Sequence, residues 1–233
     1  LYNNSVLLSI VMGDHAISAT LSIEKLKSRE TIMTQDLNEK ALVVKPLPVE
    51  QWDKSLAHIA AAMKGNPINV HKLMANHPEL LKAWWNFRNY SVVGGDLGKR
   101  KGELVILRIG LHMKAWYEWA SHVERSLACG LSMVEIERVK QGAQAPEWAV
   151  DEALILTAVD ELITTYSICP ETHKALRKYF SLKQVMDIIA IHGMYVILGC
   201  MINTWGLELD EHVQARLPQG CSREAFEQEY PRH

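Results

Sequence analysis

Two stretches of this chain are apolar almost all the way round a helix. Residues 99–113 carry Leu104, Ile106, Leu107, Ile109 and Leu111, and residues 185–202 are interrupted only by Asp187, His192 and two glycines. A helix without a polar face has to be enclosed by other elements, so both are predicted to lie inside a bundle. The remaining punctuation is helical too. Trp52, Leu56, Ile59, Ala60 and Met63 recur near the 3.6-residue period over 50–64, and Gly65-Asn66-Pro67 stops them. His77-Pro78-Glu79 opens a run with Leu80, Leu81, Trp84, Trp85 and Phe87 that ends near Gly94-Gly95. Gly130 closes a helix over 115–128, and Ser132 with Glu135 reads as a capping box for a helix to about Lys140. An amphipathic helix over 146–166 follows, Pro170 opens another, and Ser181 with Gln184 caps the last core helix, which Gly206 ends. No strand pattern of useful length occurs. The expectation is an all-α fold, a compact bundle of about eight helices.

With 48% hydrophobic and 22% charged residues over 233 positions, the chain can bury one sizeable core. Residues 41–210 are expected to form that domain, flanked by an N-terminal extension (1–40) and a C-terminal tail (211–233). Phe226 and Tyr230 in the tail, four apart, are expected to wrap a neighbouring subunit. A net charge of -2 gives no positive field for nucleic acid, and Lys99-Arg100-Lys101 reads as a solvated helix start. Cys129, Cys169, Cys200 and Cys221 stand far apart, without zinc spacing, which fits a reducing cytoplasm and three small core residues. No segment is expected to cross a membrane, and 185–202 reads as a buried core helix. The V-L-L-S-I-V-M run near the N-terminus lacks the flanks of a secretory signal, and the residues before Met33 read as an extension.

Glu103, Glu118 and His122 are the residues that point to chemistry. Glu118 and His122 are four apart, so on a helix they share one face, and a short hairpin would bring Glu103 back beside them. The blander readings are a surface i,i+4 pair for Glu118 and His122 and a helix-start charge for Glu103. Cys129, seven after His122, is the one thiol with a positional claim on the same stripe.

The motifs G-E-L-V-I-L-R-I, Y-E-W-A-S-H-V, A-C-G-L-S-M-V-E-I, V-D-E-L and I-N-T-W-G-L-E-L-D occur in order between about Val49 and Asp210. In this the chain resembles the carboxymuconolactone decarboxylase family, the clan shared with AhpD-type alkylhydroperoxidases. The resemblance implies an all-helical fold, homo-oligomers (commonly trimers or hexamers) and an active site around the motif hairpin. It also implies a relay glutamate at Glu103 and the motif histidine at His122.

The peroxidase branch of that clan carries C-x-x-C followed by a histidine, and the cysteine positions here hold Ala115 and Glu118. Peroxide reduction needs an attacking thiolate and a resolving thiol. Cys129 lies about 10 Å beyond His122 along a helix axis and has no partner near it in sequence, so peroxidase activity is not expected.

Acid–base chemistry remains: cofactor-free decarboxylation or isomerisation of a small carboxylated or lactone-like metabolite. His122, with a reference pKa of about 6.5, is the expected shuttle, and Glu118 orients it or acts as base. Trp116, Trp119 and Leu107 are the apolar neighbours expected to bury Glu118. Arg108 either binds a substrate carboxylate or pairs with Glu103 or an acid on another subunit. Tyr117 and Trp119 either line the pocket or fill the core, and His192 and Asn203 are further candidates to face it. A lone histidine such as His192 is otherwise expected to be satisfied by a backbone carbonyl. A metal site is not expected, because bundle carboxylate sites use paired E-x-x-H motifs and this chain shows one E-x-x-x-H. The competing expectation is a non-catalytic oligomer that keeps the fold and holds a small apolar ligand. An AhpD-like antioxidant role stands third.

Overall fold

In the computed structural model, residues 44–232 are described, and among them the regular structure is entirely helical. The readings made for the N-terminal extension and its start lie outside those residues. Helix α1 (Ala57–Ala62) follows two short 3-10 turns, so the 50–64 pattern is helical in pieces. Helix α2 (Asn69–Met74) precedes α3 (Pro78–Arg88), whose Pro78 sits at its first turn and whose end passes into a π-turn at Asn89–Gly94.

The centre is α4 (Lys99–His112), in contact with α5 (Trp116–Ala128), α6 (Met133–Gln141), α7 (Val150–Thr165) and α9 (Leu182–Trp205). Leu104 and Leu107 on α4 are fully buried, and each such side chain contributes about 1.5–3 kcal/mol by leaving water. That is why the stretch 102–111, apolar but for Glu103 and Arg108, is stable only in the middle. Helix α8 (Pro170–Leu176) links α7 to α9, and both capping boxes, Ser132 with Glu135 and Ser181 with Gln184, are closed. Gly206 ends α9 with φ 59°, a left-handed conformation that glycine adopts without Cβ strain. Two helices beyond the expected bundle, α10 (Glu211–Gln214) and α11 (Arg223–Glu229), pack on α5.

Three expectations change. Helix α9 spans 24 residues and by length and composition alone matches a membrane span, because the helix extends beyond the apolar run at both ends. Its inner face is nevertheless buried in the bundle, where Asp187 accepts hydrogen bonds from the Tyr90 hydroxyl and the Asp96 amide. The tail folds back on its own chain: Phe226 packs against Trp116 and Trp119, with ring centroids 5.7 and 6.1 Å away, and Tyr230 packs on Phe226. No cysteine is fully buried. Cys129, Cys169 and Cys221 are half-buried, and Cys200 is exposed on the outer face of α9. Cys169 instead caps α8, its sulfur accepting from the Thr172 amide.

Candidate active site

The α4–α5 turn is short, and Gly110 lets the helices close: a Cβ there would stand 3.4 Å from the Trp119 amide and 3.6 Å from the Glu118 Cβ. Glu103, Glu118 and His122 then meet at one place. Glu103 lies beyond the first turn of α4, so its position is not set by the helix dipole. Its Oε2 is 2.6 Å from His122 Nδ1 and accepts a longer contact, 3.4 Å, from Ser126 Oγ. Glu118 Oε2 is 3.6 Å from His122 Nε2. With His122 and Glu118 only 1% and 4% exposed, theirs is not a surface pair.

Arg125, three residues after His122, completes the cluster: its Nη1 donates to His122 Nε2 over 3.2 Å. A guanidinium can only donate, so Nε2 is an acceptor, and neutral His122 carries its proton on Nδ1 facing Glu103. Tyr195 of α9 stands edge-on to the imidazole, centroids 5.1 Å apart at 86°.

Burial sets the protonation states. It pushes Glu118 up to about 8, opposed by Arg125 and assisted by Glu103. It pulls His122 below its usual range, Glu103 opposing and Arg125 adding to the effect. Glu118 is therefore an acid at neutral pH and not the base expected from its type, because desolvation outweighs the favourable helix N-terminus on which it sits.

Two spaces flank the cluster. A cleft of about 490 Å3 is walled by Leu97, Lys99, Glu103, Ile106, Arg125 and Cys129, among others. A second, much smaller space, a chamber of about 30 Å3 also open to solvent, has Glu118, His122, Arg125, Arg88, His71 and Tyr195 in its wall. Arg125 faces both spaces.

Of the other candidates, Tyr117 joins the chamber wall and donates its hydroxyl to Asp210 Oδ2 at 2.5 Å. Arg108 does not face a ligand space or Glu103. It forks onto Asp160 at 2.6 and 3.1 Å and also donates to the Val139 and Lys140 carbonyls, closing the end of α6 within its own chain. Trp119 is core, stacked on Phe226 with Lys140 Nζ 5.7 Å from its ring centroid. Trp116 also turns to Phe226, so the apolar cover of Glu118 comes instead from chamber residues such as Ile68, Val70, Trp84, Met194 and Leu198. Asn203 holds the α4–α5 turn by donating to the Met113 carbonyl at 2.7 Å. His192 is buried outside both spaces, and its Nδ1 has no hydrogen-bond partner among the described residues.

Sequence reasoning missed Arg125, Arg88, His71 and Tyr195. Arg125 had a signal, since positions 118, 122 and 125 form one helical stripe. The other three come from α2, α3 and α9, and nothing local marks them. Among the described residues no group of three or more His, Cys, Asp and Glu side chains is arranged for a metal. Both His122 nitrogens already have protein partners, one of them a guanidinium.

Residues 78–156 match the carboxymuconolactone decarboxylase family, a shorter stretch than the motifs suggested but one that contains the whole Glu103–His122 cluster. No curated protein sequence matches the chain. Among solved structures, a single-residue variant of the debrominase Bmp8 in complex with 2,3,4-tribromopyrrole is 14% identical over 74% of this chain and 94% of its own, with TM-score 0.63. A peroxidase-related protein with an alkylhydroperoxidase AhpD core from Ralstonia eutropha JMP134 is 16% identical, covering 76% and 98%, with TM-score 0.65. A peroxidase-related protein from Silicibacter sp. TM1040 is 18% identical, covering 73% and 90%, with TM-score 0.61. At such identities the likeness is one of fold. Residues 78–156 thus match the carboxymuconolactone decarboxylase family model, and the fold of the described residues is that of the AhpD-like helical bundle.

Proposed function

We propose that this chain is a cofactor-independent acid–base enzyme, of decarboxylase or isomerase type, acting on a small carboxylated or lactone-like metabolite, without thiol peroxidase activity. One observation carries the reading: Glu103 stands in the wall of a 490 Å3 cleft while bonded at 2.6 Å to a buried histidine. Small-molecule sites occupy about 300–1,000 Å3. Lys99 and Arg125 are the cations of the cleft wall and suit a substrate carboxylate.

In a decarboxylation the bond to the carboxylate carbon breaks, its electron pair passes into the conjugated lactone, and carbon dioxide leaves. One proton must then reach carbon. Glu103 is the member of the relay that meets the cleft, His122 passes the proton to it, and Glu118, protonated at neutral pH, refills His122. Isomerisation uses the same groups to remove and return a proton.

Cys129 also lines the cleft, but burial and then Glu103 push its thiol above the ordinary range, which disfavours the thiolate that peroxide or other thiol chemistry needs. An outward apolar stripe on α9, with Leu182, Met186, Ile189 and Ile197 each at least 45% exposed, supports a homo-oligomer, trimer or hexamer.

The test is carbon dioxide release and solvent-deuterium incorporation with a panel of γ-carboxylated unsaturated lactones and their isomers. Turnover by wild type that survives unchanged in His122→Asn sinks the relay. Tight binding with neither turnover nor exchange would favour the ligand-binding alternative.

A further inference from the structure

The space beside His122 shares Glu118, His122 and Arg125 with the proposed reaction but adds a second guanidinium, Arg88, that the reaction does not use. Two guanidinium groups, those of Arg88 and Arg125, stand in the wall of a space of only about 30 Å3. Arg125 gives one hydrogen bond to His122 Nε2. Arg88 gives one to Asn89 Oδ1 at 3.1 Å and lies 5.2 Å from the Trp85 ring centroid. Among the described residues neither has a carboxylate within ion-pair distance, whereas Arg100 and Arg108 each do.

The rest of the wall is built the same way. His71 is 4% exposed, and its Nδ1 is buried without a hydrogen-bond partner among the described residues. Glu118, the carboxyl group of that wall, is held in its neutral form by burial. Although burial works against it, Arg125 is held above the usual guanidinium range by Tyr195, Glu103 and Glu118, so Arg88 is the cation of this wall that lacks a nearby counter-charge among the described residues. Arg88 registers the deficit: burial, and then the charge of Arg125, pull it below the usual guanidinium range. Both arginines are partly buried, and a cation drawn part-way out of water gains from a counter-charge.

Size fixes the guest. A space of about 30 Å3 exceeds the roughly 10–15 Å3 that one water-sized probe needs, yet leaves no room for a metabolite. We propose that this chamber is a binding site for one small inorganic monoanion of halide size, held between Arg88 and Arg125. The proposal does not rest on the reaction assigned to the cleft, and water is the rival occupant.

The intact protein tests it with bromide. Crystals soaked in bromide and measured at the bromine edge should show an anomalous peak in the chamber, within hydrogen-bond distance of both guanidinium groups. In halide-free buffer, calorimetric titration with bromide should give saturable binding to wild type, at least about tenfold weaker in Arg88→Gln and largely kept in Arg88→Lys. Water alone in the chamber of bromide-soaked crystals overturns the proposal, as does equal bromide affinity in wild type and Arg88→Gln. The wild-type crystal decides the matter even if Arg88→Gln fails to fold. Deuterium exchange on lactones, run without halide, decides the cleft reaction separately.

Discussion

Glu103 Oε2 and His122 Nδ1 are 2.6 Å apart, on neighbouring antiparallel helices, in a place that only the Glu103 side opens toward the cleft. The contact is a packing interaction of the α4–α5 hairpin and, in the proposed relay, the last link before a substrate. Glu103→Gln keeps an oxygen that accepts from Nδ1–H and removes the carboxylate. Turnover is expected to fall about 100-fold or more while the melting temperature moves by only a few degrees. Equal loss of activity and of folded protein would mean that the pair only holds the helices together.

The pH dependence follows from Glu118, which burial carries from an ordinary 4.5 up to about 8. Between those values the unfolded chain gives up the proton and the folded chain keeps it. Stability from this group is thus complete below about pH 4.5 and is lost as pH rises through about 8. Glu118→Gln should flatten that slope and stabilise the protein at pH 8 by about 1 kcal/mol or more, read from denaturant midpoints. Turnover of the wild type should decline above about pH 8 as the reserve proton is lost. A stability profile that keeps the same slope in Glu118→Gln removes Glu118 as its source.

Arg108 is expected to matter for folding and not for substrate. Arg108→Ala removes the guanidinium from Asp160 and from the Val139 and Lys140 carbonyls, leaving Asp160 only His112 at 2.7 Å, at a cost of about 1–3 kcal/mol. The KM of the folded fraction should not change. A raised KM with an unchanged denaturation midpoint would return Arg108 to the list of substrate contacts.

Gly199 is in α9 where it crosses Met113, and a Cβ there would meet Met113 atoms at 3.0 and 3.1 Å. Gly199→Val is expected to cost about 1–3 kcal/mol by overpacking and to push α9 away from the hairpin. Because Tyr195 lies one turn earlier on the same helix, its edge contact with His122 should loosen too. The histidine ring resonances, followed by NMR, should shift in Gly199→Ala, the milder change. Unchanged resonances would mean that the helix absorbs the strain locally.

Much of this was readable in the chain because the signals were local. The enclosed character of α4, the Ser132 and Ser181 capping boxes and the Gly206 stop each depend on residues within a few positions of one another. Glu118 and His122 shared a face by spacing alone, and the short turn to Glu103 left few other places for that residue. The failures are of another kind. Arg108 was drawn toward a ligand role by its charge, but Asp160, 52 positions away, claims it, and no local pattern announces such a pair. The chamber escaped for the same reason: His71, Arg88 and Tyr195 converge through tertiary packing. The extent of the Glu118 shift was not legible either, because side-chain type sets only the starting value and the depth of burial sets the rest.

Helix α9 has two working sides. Its inner side holds Tyr195 against the His122 imidazole, and its outer side presents Leu182, Met186, Ile189 and Ile197 to the surroundings. The wall beside His122 and an exposed apolar stripe are thus two sides of one helix. Whatever seats itself on that stripe leans on the same helix, so under the proposed homo-oligomer protein concentration and the environment of His122 would be mechanically connected variables. A rate constant measured at one dilution need not hold at another.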